Sequence, residues 1–395
     1  MKISIIGQGY VGLPLAMAAV DSGFTVFGID INKQKIEKLK MGLSIVEDIS
    51  DQLIKKSIGT QRYFPTTDQE LIKDSVVVLI CVPTPLGDDK RPDLSALLNA
   101  VSTVGKNLKE GSLVIVESTI EPGTCRTMLL PILKSMSGLS EDKFYFAYSP
   151  ERIDPLNKSW TISNTPKLVA GLTEAAAAKA EEFYAKFINS IVKCSSLEIA
   201  ETAKLLENSF RLINISFINE MAMFCQKIGV DILEVIKAAT TKPYGFMPFY
   251  PSIGVGGHCI PVDPLYLANA ARNVGISTRF IDLADQINRE MPEHFIDRAE
   301  DKVGGLKNKK VLVVGVSYKP NVADVRESPV AALIFGLRQR GAFVMWHDEL
   351  VKEWNGEKSV EISDIFDLAI IAMSHDYLDL KKLGDTKILD TRGSV

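Results

Sequence analysis

Cysteine and histidine are scarce, five and four among 395 residues, and no two cysteines form a CxxC pair. An odd, scattered set (Cys81, Cys125, Cys194, Cys225, Cys259) supports neither a disulfide framework nor a zinc ribbon, so reduced thiols and no metal site are expected. The net charge of −4 gives no broad basic field for nucleic acid, although a local basic pocket for an anionic small molecule stays open. No run approaches the ~18 apolar residues of a membrane span. The opening MKISIIGQGYVG has a strand-and-turn pattern, not that of a signal peptide. We therefore expect a cytoplasmic protein with no membrane and no nucleic-acid partner. Low-complexity tracts and short-period repeats are missing too. What remains, 46% hydrophobic and 24% charged residues, is a globular composition with material for two or three cores.

What is present is alternation. KISIIG, a helix from about Leu13 to Ser22, FTVFGID, a helix through KQKIEKLKMG, and SVVVLICVP set out βαβ units on a parallel sheet. SLVIVEST, FYFAYSP, PKLVAG and INSIVKC continue the strands and predict a first domain over residues 1–195. From Leu197 to about Val230 runs one helical pattern without proline or, before Gly229, glycine. Apolar residues cover much of its circumference, which predicts burial on more than one side, between domains or subunits. Further helical patterns complete a central domain over 196–300. After Gly304 the alternation restarts with KKVLVVGVSYKP, SPVAALIFGLRQRG, AFVMWHDE, DLAIIAMS and TKILDTRG, a domain over 301–395. The fold class is α/β: two Rossmann-like doubly wound domains joined by a central long-helix domain.

IIGQGYVG sets Gly7, Gly9 and Gly12 in GxGxxG register between a strand and a helix. Gly7 permits the tight turn, Gly9 lets backbone approach a pyrophosphate, and Gly12 allows close helix packing. Asp30 ends the next strand, eighteen residues beyond Gly12. A carboxylate there accepts hydrogen bonds from the adenosine ribose and repels a 2′-phosphate, which points to NAD over NADP. Pro83, Thr84 and Pro85, with Ser118 and Thr119, end the following strands, where ligands lie in such sheets. Singly, Thr84 and Thr119 read as turn or cap residues; their shared location favours ligand contact.

In the long helix Glu201, Lys204, Asn208 and Arg211 are spaced three, four and three apart and share one face. A solvated face and a polar cleft both fit. The stretch PSIGVGGHCIPVDP sets Cys259 behind glycines that free the backbone to aim N–H groups at a ligand, and ahead of stiffening Pro261 and Pro264. A thiol so held acts as a nucleophile once a cation or backbone donors favour its thiolate. Asp263 suits a base towards water, and His258 is a weaker candidate because adjacent side chains diverge. A nicotinamide site with a nucleophilic cysteine suggests four-electron oxidation of a primary alcohol. Hydride loss gives an aldehyde, the thiolate adds as a thiohemiacetal, a second hydride loss leaves a thioester, and water releases the acid.

GQGYVGLP, VPTP, ESTI, SPERIDP, AETAKLLENSFRLINISFINE, GVGGHCIPVDPLYL and VLVVGVSYKPNVADVRESP follow one another as in the UDP-glucose/GDP-mannose 6-dehydrogenase family, which the chain resembles over nearly its whole length. The resemblance implies an N-terminal NAD-binding domain, a central helical dimerisation domain and a C-terminal nucleotide-sugar domain, with a UDP-sugar substrate and a homodimer through the central helix. It implies Cys259 as thioester nucleophile, Lys204 and Asn208 as oxyanion stabilisers, Asp263 as an aid to water, and Thr119 and Glu151 beside the reacting carbon. For NAD it adds Tyr10, Val11, Lys35, Thr84 and Arg326 to the glycine loop and Asp30. For the sugar nucleotide it adds Arg152, Arg211, Tyr250, the backbone of Gly254, Gly256 and Gly257, Lys319 and Arg392. SPERIDP with TKPYGFMPFYPSIGVGGHCIP resembles the UDP-N-acetylglucosamine branch, whereas the UDP-glucose branch carries PEFL and a further glutamate where this chain has Pro155. Leu156 in place of a common glycine, and PSIG in place of PGPG, depart from the pattern in the substrate loop. UDP-glucose and UDP-N-acetylmannosamine thus stay as alternative substrates, and a single-step hydroxyacid-type dehydrogenase, which needs no cysteine, as the alternative enzyme.

Overall fold

The central strands of the first sheet have two apolar faces, because their residues alternate sides and helices cover both. The computed structural model describes residues 1–154, 157, 159–376 and 378–392. Pro155 and Leu156, on which part of the substrate-branch reading rests, lie outside the described residues. The chain forms two compact units, Met1–Glu207 and the part from Asn208 onward.

In the first unit eight strands, β1 (Lys2–Ile6), β2 (Thr25–Ile29), β3 (Tyr63–Thr66), β4 (Val77–Ile80), β5 (Leu113–Val116), β6 (Tyr145–Tyr148), β7 (Lys167–Gly171) and β8 (Ile191–Lys193), lie in the order β3-β2-β1-β4-β5-β6-β7-β8. The first six of that order are parallel, the dinucleotide-binding arrangement, and β7 runs antiparallel to β6. Helices α1 (Gly12–Asp21), α2 (Lys33–Lys40), α3 (Asp51–Gly59), α4 (Ser95–Asn107), α5 (Leu130–Ser137) and α6 (Glu174–Tyr184) connect them. Ile3, Ile5, Val26, Leu79 and Ile115 pack with α1 and α6, while Phe27, Val78, Ile80, Val114 and Val116 pack with α4 and α5 on the other face.

Helix α7 (Leu197–Lys227) is unbroken over 31 residues, and the boundary of the two units falls inside it. Within one chain it is not the apolar rod, buried on more than one side, that its composition predicts. Its polar stripe is inside, with Glu201, Lys204 and Asn208 at 0%, 9% and 5% exposure, whereas Leu206, Phe210, Phe217 and Phe224 are exposed. Leu205 and Leu212 are buried as expected, and Arg211, the last member of the stripe, is exposed.

The second unit continues with α8 (Ile232–Thr240), α9 (Asp263–Asn273) and α10 (Arg279–Val303, with Pro292 inside). Then follow β9 (Lys310–Val314), α11 (Val330–Gln339), β10 (Phe343–His347), a short hairpin of β11 (Glu353–Trp354) and β12 (Glu357–Lys358), β13 (Leu368–Ile371) and β14 (Lys387–Asp390). The main strands form a parallel sheet in the order β10-β9-β13-β14. Val311, Val313, Trp346 and Ile370 pack against Phe295 of α10 and Leu333 of α11. The opposite face, with Leu312, Val314 and Ile371, is closed by Ile362, Phe366 and Leu383 from the connections.

Candidate active site

The glycine loop is built as its spacing demands. Gly7 has φ +92°, and a Cβ there would lie 2.5 Å from the Cys81 carbonyl oxygen. A Cβ on Gly12 would lie 1.8 Å from the Gly7 oxygen, so α1 closes directly onto the turn. Gly9 differs: a Cβ there would meet nothing within 4 Å, so its open side leaves a cradle at the start of α1 into which a pyrophosphate fits. Asp30 accepts the Gln8 amide on Oδ2 and the Asn32 amide on Oδ1, each at 2.9 Å, and Lys35 lies 4.0 Å from Oδ2. A carboxylate has about four lone-pair sites, so two bonds leave acceptor capacity for a ribose. The Tyr10 hydroxyl donates to Glu47 at 2.9 Å, and Val11 forms the helix cap. These residues fit NAD.

At the ends of β4 and β5 the Thr84 hydroxyl donates to the Thr119 carbonyl at 2.9 Å, tying together the two loops that carry them. Glu151, just after β6, accepts the amides of Arg152 and Ile153 on Oε1, both at 2.5 Å. Its Oε2 lies 3.4 Å from Nζ of Lys167, which pairs with buried Glu117 at 2.6 Å. Arg152 is spent inside the protein, on Glu207 of α7 at 2.8 Å and on the Pro166 carbonyl at 2.6 Å. It acts as a brace here. Glu201 likewise accepts the amides of Gly123 and Cys125 at 2.5 and 3.0 Å; burial pushes its carboxyl up, and those bonds oppose the shift. The helix stripe therefore divides into an anchor at Glu201 and buried Lys204 and Asn208, with Arg211 at the surface.

In the second unit Cys259 is exposed, and its carbonyl accepts the amides of Val262 and Asp263 at 3.2 and 2.8 Å. Cys259 thus lies one turn ahead of α9, its backbone tied to the start of that helix. Asp263, 2% exposed, accepts from Nδ2 of Asn208 at 2.6 Å. Two residues far apart in sequence, both expected to act in catalysis, are thereby brought into contact.

The glycines before Cys259 have a different cause from the one their sequence suggests. A Cβ on Gly256 would lie 2.7 Å from Tyr318 and 2.8 Å from the Glu327 carbonyl, and one on Gly257, at φ +81°, would lie 2.7 Å from the Tyr318 ring. Gly254, at φ +129°, packs against Asn288 and Pro329. The amides of Gly254, Val255 and Gly257 donate to Ser252 Oγ, Asn288 Oδ1 and the Arg326 carbonyl, so they do not face a ligand as expected. Small residues are needed because the segment from Tyr318 to Pro329 seats on this loop. His258 faces that segment's charges: burial, then Arg326, lowers its imidazole below the ordinary value, and Asp324 and Glu327 oppose.

Arg326 is held bidentate by Asp324, with Nε at 2.9 and 3.0 Å. Lys319 is half-buried, and its carbonyl accepts from Ser317 Oγ at 3.0 Å. Tyr250 and Arg392 line one groove of about 780 Å³ with Lys237, Thr240 and Thr241. Gln8, Glu117, Lys167, Tyr184 and Asn288 escape the sequence reading. The available signals were weak: a lysine opening an apolar strand, and a glutamate opening ESTI.

The turn, the acid at the end of β2 and the open cradle define a dinucleotide-binding protein of the Rossmann class. Sequence profiles of three domains match the chain: the UDP-glucose/GDP-mannose dehydrogenase family NAD binding domain over residues 1–188, its central domain over 198–290 and its UDP binding domain over 312–394. A UDP-N-acetyl-D-glucosamine 6-dehydrogenase of Salmonella typhi is 35% identical, covering 98% of this chain and 92% of that protein. A UDP-N-acetyl-D-mannosamine dehydrogenase of Pyrococcus horikoshii is 36% identical, covering 95% and 90%. The solved structure of a UDP-D-ManNAc dehydrogenase from Pyrococcus horikoshii superposes with a TM-score of 0.91 at 33% identity, over 100% of this chain and 96% of that one. The chain belongs to the UDP-glucose/GDP-mannose dehydrogenase family and is an NAD-dependent nucleotide-sugar dehydrogenase. Among the described residues no helix is long and apolar enough to cross a membrane.

Proposed function

We propose that the chain oxidises the C6 hydroxyl of a UDP-N-acetylhexosamine, best matched by UDP-N-acetylglucosamine, to the uronic acid in two oxidations through a Cys259 thioester. The observation that carries the reading is the exposed Cys259 thiol leading into α9, with buried Asp263 held at 2.6 Å by Asn208. Similarity to a UDP-N-acetyl-D-glucosamine 6-dehydrogenase supports the acetamido sugar, and the TM-score of 0.91 to a UDP-D-ManNAc dehydrogenase favours the mannosamine epimer as a second reading.

NAD, held by Gly7, Gly9, Tyr10, Val11, Gly12, Asp30, Lys35, Thr84 and Arg326, supplies the hydride acceptor. Thr119 and Glu151 orient the C6 hydroxyl. The Cys259 thiolate adds to the aldehyde carbon to form a thiohemiacetal, and Lys204 and Asn208 donate to the oxygen that gains charge. Asp263, aligned by Asn208, takes a proton from the water that cleaves the thioester, so the carboxylic acid leaves and the thiolate is restored. We assign Arg211, Tyr250, Lys319 and Arg392 to the sugar nucleotide, with Arg152 as a brace and the loop from Gly254 to Gly257 as the seat of the segment from Tyr318 to Pro329. Functionally we divide the chain into 1–195 for NAD, 196–300 for the thiol loop and dimerisation, and 301–395 for UDP. The exposed row of Leu206, Phe210, Phe217 and Phe224 along α7 supports a homodimer, since a second copy of the same helix buries it. We place the reaction in the cytoplasm, where thiols stay reduced.

The test is the NADH formed when a limiting amount of UDP-N-acetylglucosamine is exhausted, with UDP-glucose, UDP-N-acetylgalactosamine and UDP-N-acetylmannosamine in parallel. Two NADH per acetamido sugar is expected. One NADH per sugar overturns the thioester route, and turnover of UDP-glucose alone overturns the substrate.

A further inference from the structure

Lys167 opens β7 with its ammonium between two carboxylates, Glu117 at 2.6 Å and Glu151 at 3.4 Å, and the three side chains are 7%, 0% and 13% exposed. The Tyr184 hydroxyl donates to the other oxygen of Glu117, and the Tyr184 ring centroid lies 5.3 Å from the ammonium. Burial pushes the Glu117 carboxyl up, and Lys167 opposes that shift. A lysine buried only to balance Glu117 needs one partner; this one also reaches Oε2 of Glu151, whose Oε1 the amides of Arg152 and Ile153 already hold. The remaining charges around Glu151 are turned elsewhere. Arg152 is paired with Glu207, and the buried Cys81 thiol on β4 is pushed up by its own burial and by Glu117.

We infer that Lys167 is a positioning residue for the oxidation: clamped by Glu117 and Tyr184, it holds Glu151 in one orientation. This rests on the proposed place of Glu151 beside the reacting carbon. Without the ammonium 3.4 Å away, Oε2 of Glu151 loses the partner that fixes the carboxylate plane, and the group is free to turn.

The test uses the full chain. Lys167→Met alone would strand a buried Glu117 charge and threaten folding, so the informative variant is Lys167→Met with Glu117→Gln, which replaces the ion pair by neutral groups of similar size. The expected result is a melting temperature close to wild type and a kcat lowered roughly tenfold with little change in KM for the sugar nucleotide. Lys167→Arg, which keeps a cation between the two carboxylates, should retain most of the wild-type kcat. A folded double variant with unchanged kcat overturns the inference, and so does a Lys167→Arg variant as slow as the double variant or a loss confined to KM or the melting temperature, the mark of a purely structural role. Glu151→Gln separates the two levels. If it keeps full activity, the assignment of Glu151 fails and Lys167 has nothing to position; if it is inactive while the double variant is unaltered, only the inference fails.

Discussion

The two sheets build the same turn and use it in opposite ways. After β1 the Gly7 amide donates to the Ile29 carbonyl at 2.8 Å and the Gln8 amide to Asp30 Oδ2 at 2.9 Å. After β9 the Gly315 amide donates to the His347 carbonyl at 2.8 Å and the Val316 amide to Asp348 Oδ2 at 2.9 Å. Both glycines have positive φ, +92° and +81°. Beyond that they diverge. In the first unit α1 begins at Gly12, directly on the turn, and the Asp30 side chain keeps 10% exposure. In the second, α11 does not begin until Val330, and Asp348 is wholly buried, its Oδ1 taken by the amides of Leu350 and Val351 at 2.9 and 3.1 Å and its Oδ2 approached by His375 at 3.2 Å. A strand, a glycine turn and an acid therefore do not make a dinucleotide site. A helix start must face the turn, and the acid must keep acceptor capacity.

The largest expected effect falls outside both turns. Cys259→Ala should lower uronic acid formation by about 10⁴-fold or more, while NAD titrations of the variant match wild type; retained turnover would move the chemistry off the thiol. Next comes the contrast of two glycines. Gly9→Ala fills open space, so the melting temperature should hold while kcat/KM for NAD falls on the order of 10²-fold. Gly315→Ala places a Cβ 2.1 Å from the Met373 oxygen at positive φ and should unfold the second unit, seen as loss of its cooperative melting. Equal effects of the two changes on stability would break the comparison.

The two acids give a smaller, pH-dependent contrast. Burial pushes the Asp348 carboxyl up, but the bond from His375 and the amides of Val316 and Val351 outweigh it and hold the group at about 2, below the ordinary 3.8. A depressed folded value stabilises above the unfolded one, so this contribution, roughly 2 kcal/mol, is complete above about pH 4 and disappears as pH falls through about 2. Asp348→Asn should remove that increment in urea melts at pH 7 and flatten the acid dependence, whereas Asp30→Asn should weaken NAD and leave the melts alone. The smallest effect belongs to Lys35, which sits 4.0 Å from Asp30 and is 45% exposed. Lys35→Ala should change the NAD dissociation constant by less than about twofold at physiological salt, and the difference should vanish at 1 M salt as about 3 Å screening sets in.

Much of the first sheet was legible because burial on two faces leaves runs such as VVLI and LVIV that suit little else. The loop functions of Gly7 and Gly12 were legible for the same local reason, since a turn and a helix start lie within a few residues. Long-range causes were not. Gly256 and Gly257 look like a ligand cradle until Tyr318 is placed against them, and Arg152 looks like a ligand contact until Glu207 takes its charge. The polar stripe on α7 was visible as a stripe, but nothing in its spacing told whether the polar or the apolar edge would turn inward.

By itself, then, the sequence determined the alternation of strands and helices, the dinucleotide turn and the family, all of which depend on residues close in the chain or on ordered motifs. Only the tertiary structure decided which acid is left open and which is sealed, that Asn208 holds Asp263, and that Lys167 stands between Glu117 and Glu151. The physical reason is that a buried charge or glycine is defined by the partners that desolvate or crowd it, and these partners come from remote strands and helices.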